Sequence, residues 1–300
     1  MDIVLTLIPD FALILTGAWV KRVLHWTGAT WAGLERLIYY FLLPALLFLN
    51  TATATFSLKS SSGVALAAVG LIVLGFALAL ALRPAIKVPY TSFASGLQCA
   101  YRFNSFIGLA LAGKLYGAEG AAMLAVMIGA CVPIANVLAV GALARGRDVS
   151  LLSELIKNPL LVATVAGSAV NLLDWSIPTL LQDYLARLSS ASLGVGLLAV
   201  GAAMVWRLPS RDRFFVTAMT LIKLIALPVA ALALAQWLQL DPIATGVLVL
   251  YAALPTATSS HVLAARLGGN GELTATMVTL STLGAMLTLP VWVVWTATLS

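Results

Sequence analysis

Long apolar runs, each near the length of a membrane-spanning helix, constrain this chain more than any other feature. A hydrocarbon core of roughly 30 Å takes about 20 apolar residues per helix. Charged, Gly-rich or Pro-containing breaks divide the 300 residues into ten runs, near 2–20, 33–50, 62–82, 91–115, 117–143, 155–174, 190–206, 214–237, 243–267 and 272–298. We therefore predict an all-α polytopic membrane protein with ten transmembrane helices.

The composition agrees with this class and leaves no room for a soluble catalytic domain. Hydrophobic residues make up 61% of the chain and charged residues 9%, with a mean hydropathy of +1.03. The alternating polarity of a transmembrane β-barrel is absent from the runs. Cys99 and Cys131 lie in apolar runs without metal-ligand spacing, so no metal or cofactor is expected. The first run ends in Lys21 and Arg22 without a cleavage site, and we expect it to be retained.

Basic residues predict the orientation in the membrane. Alternate breaks carry most of the 17 Lys and Arg residues, whereas the remaining breaks carry Lys59, Lys114 and Arg187. Because positively charged loops stay in the cytoplasm, both termini are expected outside it. The net charge of +6 is spread over short loops, which argues against nucleic-acid binding. The more polar stretch 176–189 is expected to be an interfacial amphipathic turn before helix seven.

Two halves of five helices, residues 1–150 and 151–300, are expected to form an inverted repeat. Phe103–Gly117 can be aligned with Leu254–Gly269, and both stretches end on glycine before a long apolar helix. Each stretch is irregular near its middle, because proline breaks a helix and Asn, Ser and Gly weaken one. Lipid cannot satisfy a broken backbone, so the breaks in helices four and nine should line one shared site inside the protein.

Two basic residues lie at membrane depth. Arg102 is about 11 residues into helix four, or roughly 16 Å, and Lys223 lies roughly 15 Å from the cytoplasmic face. A buried cation is costly unless it is paired. Arg102 can clamp a substrate carboxylate with two parallel hydrogen bonds. Alternatively, Arg102 or Lys223 neutralises the carbonyl ends of the broken helices or pairs with Asp10, which is also a candidate proton relay.

Polar side chains beside the two breaks complete the candidate site. Asn104 can cap a half-helix and bind substrate, and His261 can bind substrate, carry a proton or merely pack. Hydroxyls of helix nine can line the site or bond between helices. Neither broken segment has an Asp or Glu at its centre, which disfavours cation transport. The predicted substrate-binding residues are Arg102, Asn104, Gly108, Pro255, Thr256, Ser259 and His261.

Five stretches spread over the whole chain carry a family resemblance through their order and spacing: Tyr39–Asn50, Phe103–Gly117, Leu155–Gly167, Leu254–Ala264 and Thr279–Trp292. Together they resemble the auxin efflux carrier family of membrane transporters, in its bacterial branch. The resemblance implies a scaffold domain of helices 1, 2, 6 and 7 that often dimerises, and a mobile transport domain of helices 3–5 and 8–10. It also implies elevator-type transport of organic anions in the bacterial inner membrane.

One position departs from that resemblance. Members of the family often carry proline where Ala110 stands, and this chain keeps Gly108 nearby. Either Asn104 and Gly108 hold the first crossover, or helix four is less unwound than in the family.

We predict a secondary transporter of a small organic anion, such as a mono- or dicarboxylate, with no enzymatic activity. A bile-acid:sodium-symporter-like carrier is the alternative within the class, but it needs acidic groups near the crossover. An intramembrane enzyme built on Ser260 and His261 is disfavoured, because adjacent helical side chains point about 100° apart. Paired helix breaks favour alternating access over a channel. Energy coupling is left open between the membrane potential and a proton on His261.

Overall fold

The computed structural model describes residues 2–26, 28–53, 58–143, 159–205 and 212–299. Over these residues all regular secondary structure is helical. The helices are α1 (Asp2–Leu24), α2 (Gly28–Leu37), α3 (Leu43–Ala52), α4 (Leu58–Ala81), α5 (Tyr90–Leu97), α6 (Ser105–Leu143), α7 (Pro159–Leu172), α8 (Thr179–Ala202), α9 (Arg213–Leu221), α10 (Leu227–Trp237), α11 (Pro242–Ala253), α12 (Ser259–Arg266) and α13 (Gly271–Leu299).

Six stretches among the described residues are long and apolar enough to cross a bilayer. They are Gly28–Ala52, Gly63–Ala85, Tyr90–Leu143, Thr179–Ala202, Arg213–Trp237 and Gly271–Thr298. These stretches agree with a polytopic membrane protein. The count of ten spans and the inverted repeat stay predictions, and residues 155–158 of predicted helix six lie outside the described residues.

Two segments form the centre of the molecule and are buried along their whole length. They are residues 92–104, which include most of α5, and residues 246–256, which include most of α11. A helix that is apolar on all sides is expected to be surrounded by other helices. Here the neighbours are α4, α6, α10 and α13. The two segments contain the predicted breaks, so both breaks lie in the protein interior, as a break at membrane depth requires.

The turn between predicted helices four and five is confirmed at Gly117. α6 runs through both predicted helices, but Gly117 has φ 66° and ψ −159°, which is not a helical conformation. A residue with a Cβ atom is strained at this φ, so glycine permits the chain to reverse here. The first part of α6 thereby becomes the second half of predicted helix four.

α1 and α8 pack with their backbones in direct contact. A Cβ atom added at Gly17 would overlap the carbonyl group of Leu198, and one added at Gly201 would overlap the carbonyl group of Ile14. Small residues let membrane helices approach this closely, and dispersion and weak polar contacts then hold the pair together. A larger side chain at either glycine would force α1 and α8 apart.

The expectation of an interfacial turn over 176–189 is wrong. α8 begins at Thr179, directly after Pro178, and continues without interruption to Ala202. The polar residues in this stretch, including Asp183 and Arg187, are exposed. The stretch is therefore the first part of a long helix, which a hydropathy pattern does not distinguish from a separate interfacial segment.

A π-helical turn, Ile222–Ala226, joins α9 to α10. Pro228 follows it, and because proline has no N–H it leaves the carbonyl of Leu224 without its usual helical donor. The indole Nε1 of Trp292 in α13 donates to this carbonyl at 2.9 Å. A second π turn, Ile38–Leu42, joins α2 to α3. The carbonyl of Leu224, which lacks its helical donor, thus forms a specific hydrogen bond with α13.

Candidate functional site at the crossing of two broken helices

The two predicted breaks face each other and satisfy each other's backbone groups. The first break follows the 3₁₀ turn after α5 and ends where α6 begins, and the second lies between α11 and α12. The backbone N–H of Asn104 donates to the carbonyl of Pro255 at 2.9 Å. The hydroxyl of Thr256 donates to the carbonyl of Cys99 at 2.8 Å. Backbone groups that lipid could not satisfy are therefore paired across the crossing.

Asn104 caps the half-helix that begins after the first break. Its Oδ1 accepts hydrogen bonds from the N–H groups of Phe106 and Ile107 at 3.1 and 3.3 Å. These are the second and third residues of α6, the positions that an N-cap side chain satisfies. The amide Nδ2 of Asn104 is buried and has no hydrogen-bond partner in the described part of the chain. The expected capping role is confirmed, and the amide group keeps two donors that no described residue uses.

Arg102 is 7% exposed and binds two neutral oxygens. Its Nη1 donates to Oε1 of Gln98 at 3.0 Å, and its Nη2 donates to Oγ of Ser259 at 3.1 Å. The Nε2 of Gln98 donates to the carbonyl of Ser95, which fixes the direction of Oε1. No described acidic side chain lies within ion-pair distance of the guanidinium. A buried positive charge therefore stands at the crossing without a described carboxylate to balance it.

The positive ends of two half-helices lie at the same place. Asn104 precedes the N-terminus of α6, and Ser259, which binds Arg102, is the first residue of α12. Helix N-termini carry partial positive charge and attract anions. The electrostatics of Arg102 and the two helix ends thus favour an anion at the crossing.

The other buried cation, Lys223, has a different partner. Its Nζ donates to the carbonyl of Ala252 at 2.8 Å, in the last turn of α11. A cation at a helix C-terminus stabilises the negative end of the helix. This is the carbonyl-neutralising role considered from the sequence, and it ties the ammonium group to the backbone.

Asp10 does not pair with Arg102 or Lys223. Its Oδ1 forms an ion pair with Nζ of Lys114 at 2.6 Å, which excludes the pairing considered from the sequence. Lys114 lies in α6, ten residues after Asn104. No local spacing indicates this contact, because α1 and α6 are far apart along the chain.

Thr256 and Gly108 hold the crossing together. Thr256 is fully buried, and its backbone N–H donates to Oγ of Ser281 in α13 at 3.1 Å. Together with its bond to Cys99, this uses both of its donors inside the protein. A Cβ atom at Gly108 would lie 2.7 Å from the side chain of Leu254, so the glycine lets α6 pass close to the second break.

His261 stands apart from the other predicted residues. Its Nδ1 lies 2.5 Å from the carbonyl of Thr258 in the preceding turn. Its side chain is partly exposed. The structure brings Arg102 together with Ser259 and Asn104 with Pro255, but it gives His261 no hydrogen bond to any of these four.

A comparison with known families identifies the chain. Residues 145–293 match the family described as "Membrane transport protein", which is the auxin efflux carrier family. The chain belongs to this family. The match includes the second break, and the first break lies outside it.

A relative from a bacterium extends the similarity to nearly the whole transporter. The protein named "Putative malonate transporter" of Rhizobium meliloti (strain 1021) is 26% identical over 302 aligned positions, which cover 92% of this chain and 90% of that protein. The similarity therefore includes both breaks rather than the second alone.

Two residues of the candidate site were missed by sequence reasoning. Gln98 is four residues before Arg102, and on a helix this spacing places two side chains on one face, so the pair could have been recognised. Ser281 accepts from the backbone of Thr256 across 25 residues. No local pattern indicates that contact, because it depends on how α13 packs against the second break.

Proposed function

We propose that the protein is a secondary transporter for a small organic anion that binds at the crossing of the two broken helices. The observation that carries this proposal is the buried guanidinium of Arg102, which is bonded to neutral oxygens and has no described acidic partner. An anion that binds there supplies the missing charge. Family membership supports a transporter, and the relative's name refers to malonate, a dicarboxylate.

The geometry suggests how a carboxylate is held. The planar guanidinium of Arg102 carries five N–H donors and suits two parallel hydrogen bonds to a carboxylate. The hydroxyl of Ser259 is a neutral acceptor that a charged substrate can replace. The unused Nδ2 donors of Asn104 lie at the same break and orient the substrate. Thr256 and Gly108 stabilise the crossing. Both hydrogen-bond donors of Thr256 are occupied inside the protein, so Thr256 is not part of the proposed substrate contact.

Alternating access by an elevator movement is part of the proposal. The bonds between the breaks join α5, α6, α11 and α12 into one packed unit. α1 and α8 form a second tightly packed unit. Movement of the first unit against the second would expose the crossing to either side of the membrane. We place the protein in a bacterial inner membrane, with both termini outside the cytoplasm and a homodimer contact through the scaffold helices.

Uptake into liposomes tests the proposed function. Purified protein is assayed with malonate, malate, indole-3-acetate and neutral amino acids, with and without an imposed membrane potential. We expect saturable uptake and counterflow of at least one anion, loss of uptake in Arg102→Ala, and normal uptake in the exposed-site control Arg187→Gln. Normal uptake by folded Arg102→Ala, or movement of a cation or neutral solute alone, would contradict the proposal.

A further inference from the structure

A cavity of about 350 Å³ lies between α1, α3, α6 and α8. Ligand pockets in proteins begin at about this size and combine apolar walls with a few polar groups. Leucine, alanine and glycine form most of this wall, and the polar side chains are Asp10, Asn50 and Lys114. The α6 wall begins at Leu109, directly after Gly108, so the cavity starts beside the crossing and extends toward Lys114.

The cavity contains an incompletely used ion pair. The side chain of Asp10 is 6% exposed, and its Oδ1 is paired with Lys114, whose side chain is 37% exposed. The second oxygen, Oδ2, is buried and has no hydrogen-bond partner among the described residues. Asp10 lines the cavity, and a buried carboxylate oxygen without a donor is unfavourable, so Oδ2 is a candidate acceptor for a ligand that donates a hydrogen bond.

The polar groups require a ligand of particular chemistry. The ammonium group of Lys114 has three donors, of which the pair with Asp10 uses one. It can therefore bind a second carboxylate. The negative charge of Asp10 repels a plain carboxylate, whereas a neighbouring O–H group on the ligand would donate to Oδ2 and offset that repulsion.

We propose that this cavity is a binding subsite for carboxylates that also carry a hydrogen-bond donor, such as hydroxy acids and half-protonated dicarboxylates. Lys114 binds the ionised carboxylate, and Oδ2 of Asp10 accepts the hydrogen bond from the ligand. The inference rests on the proposed transport of organic anions and narrows its substrate class. Asp10 acts in it as the residue that selects against simple monocarboxylates.

The cavity and the crossing are lined by different residues, since neither Arg102 nor Asn104 is among those that line the cavity. Phe106, two residues after Asn104, packs on α8, where a Cβ atom at Gly196 would overlap its ring. Lys114 lies nine residues beyond the start of α6, or about 14 Å along the helix. A ligand in the cavity therefore contacts different residues from a ligand on Arg102, and the two sites can be tested separately.

Thermal unfolding of the purified full-length protein, followed by the fluorescence of its 8 Trp residues, tests the subsite. Glycolate and acetate are the probes, because they differ by one hydroxyl group. A ligand that binds the folded state raises the unfolding temperature, and the rise grows with the logarithm of the ratio of its free concentration to its Kd. We expect glycolate to bind about tenfold more tightly than acetate, as one hydrogen bond to a charged acceptor allows.

Three variants assign the difference to the cavity. Lys114→Gln should abolish the preference for glycolate over acetate, and Asp10→Asn should make the two probes equal. Arg102→Ala should keep the preference for glycolate, because Arg102 is outside the cavity, and Arg187→Gln is the control for a change of surface charge. Equal responses in the wild type, no response to either probe, or a preference that survives Lys114→Gln would overturn the subsite. Failure of anion uptake in liposomes would instead contradict the proposed function, so the two failures are distinguishable.

Discussion

Arg102 and Lys223 are both buried basic residues beside a broken helix, but their partners differ in kind. Lys223 is 1% exposed and donates to a backbone carbonyl, which no ligand can displace without opening the end of α11. Arg102 donates to two side-chain oxygens, both neutral and both replaceable. Burial and charge therefore do not by themselves identify a substrate ligand. The hydrogen-bond partner of the basic side chain shows whether its charge stabilises the fold or is available to bind a substrate.

Removal of the charge at Arg102 should give the largest effect. Arg102→Gln removes the charge-assisted pair of hydrogen bonds to the substrate, and we expect the transport efficiency, kcat/KM, to fall about 100-fold. Arg102→Lys keeps the charge but loses the planar fork, so its loss should be smaller. Initial rates of uptake measure both variants. An equal loss in the two would mean that the fork geometry, rather than the charge alone, is needed.

Lys223→Met should act on stability instead. It removes the donor to the carbonyl of Ala252 and leaves that carbonyl buried, which costs about 1–3 kcal/mol. The free energy of unfolding in detergent and the uptake per folded molecule are the measurements. We expect the free energy to fall and the uptake per folded molecule to stay within a few-fold of the wild type. A stable variant without uptake would make Lys223 a second functional cation and remove the contrast with Arg102.

Asn104→Asp separates the two roles of Asn104. A carboxylate can still cap α6, so stability should be retained, but the Nδ2 donors are replaced by a negative charge next to the anion. We expect the apparent affinity for the anion to fall about tenfold. Asn104→Ser is the matched control, since it caps the helix without the added charge. Unchanged affinity in Asn104→Asp would place the amide outside the substrate site.

Ser259→Ala should have the smallest effect. The hydroxyl of Ser259 accepts a hydrogen bond from Arg102, and in the proposed complex a substrate carboxylate replaces it as the acceptor. Removal of the hydroxyl should therefore change the apparent affinity for the anion by no more than about threefold. Ser260→Ala is the control, because the hydroxyl of Ser260 is buried and bonds to none of the described residues. A large loss in Ser259→Ala alone would show that Ser259 binds the substrate or holds Arg102 rigidly in place.

The breaks could be predicted from the sequence because their causes are local. Pro255 removes a helical hydrogen bond, and Asn104 is a strong N-cap residue, so both leave a signal in a few neighbouring positions. The pair of Gln98 and Arg102 also follows a local helical spacing. These features required no knowledge of how the helices pack.

Contacts that depend on packing could not be predicted. The pair of Asp10 and Lys114 joins residues 104 positions apart, and the bond of Ser281 to Thr256 joins distant elements. The continuity of α8 could not be predicted for a related reason, since a polar stretch can be either a separate turn or the first part of a long helix. Hydropathy reports the average surroundings of a stretch and not the identity of its neighbours.

The close contact of α1 and α8 has a mechanical consequence. Where Gly17 meets Leu198 and Gly201 meets Ile14, there is no room for a methyl group, so neither helix can roll or slide against the other without a backbone collision. These two helices also supply one wall of the cavity, through Asp10 on α1 and Gly194 on α8. The wall formed by α1 and α8 is therefore rigid. The cavity can widen or narrow only if α3 or α6 moves relative to that wall.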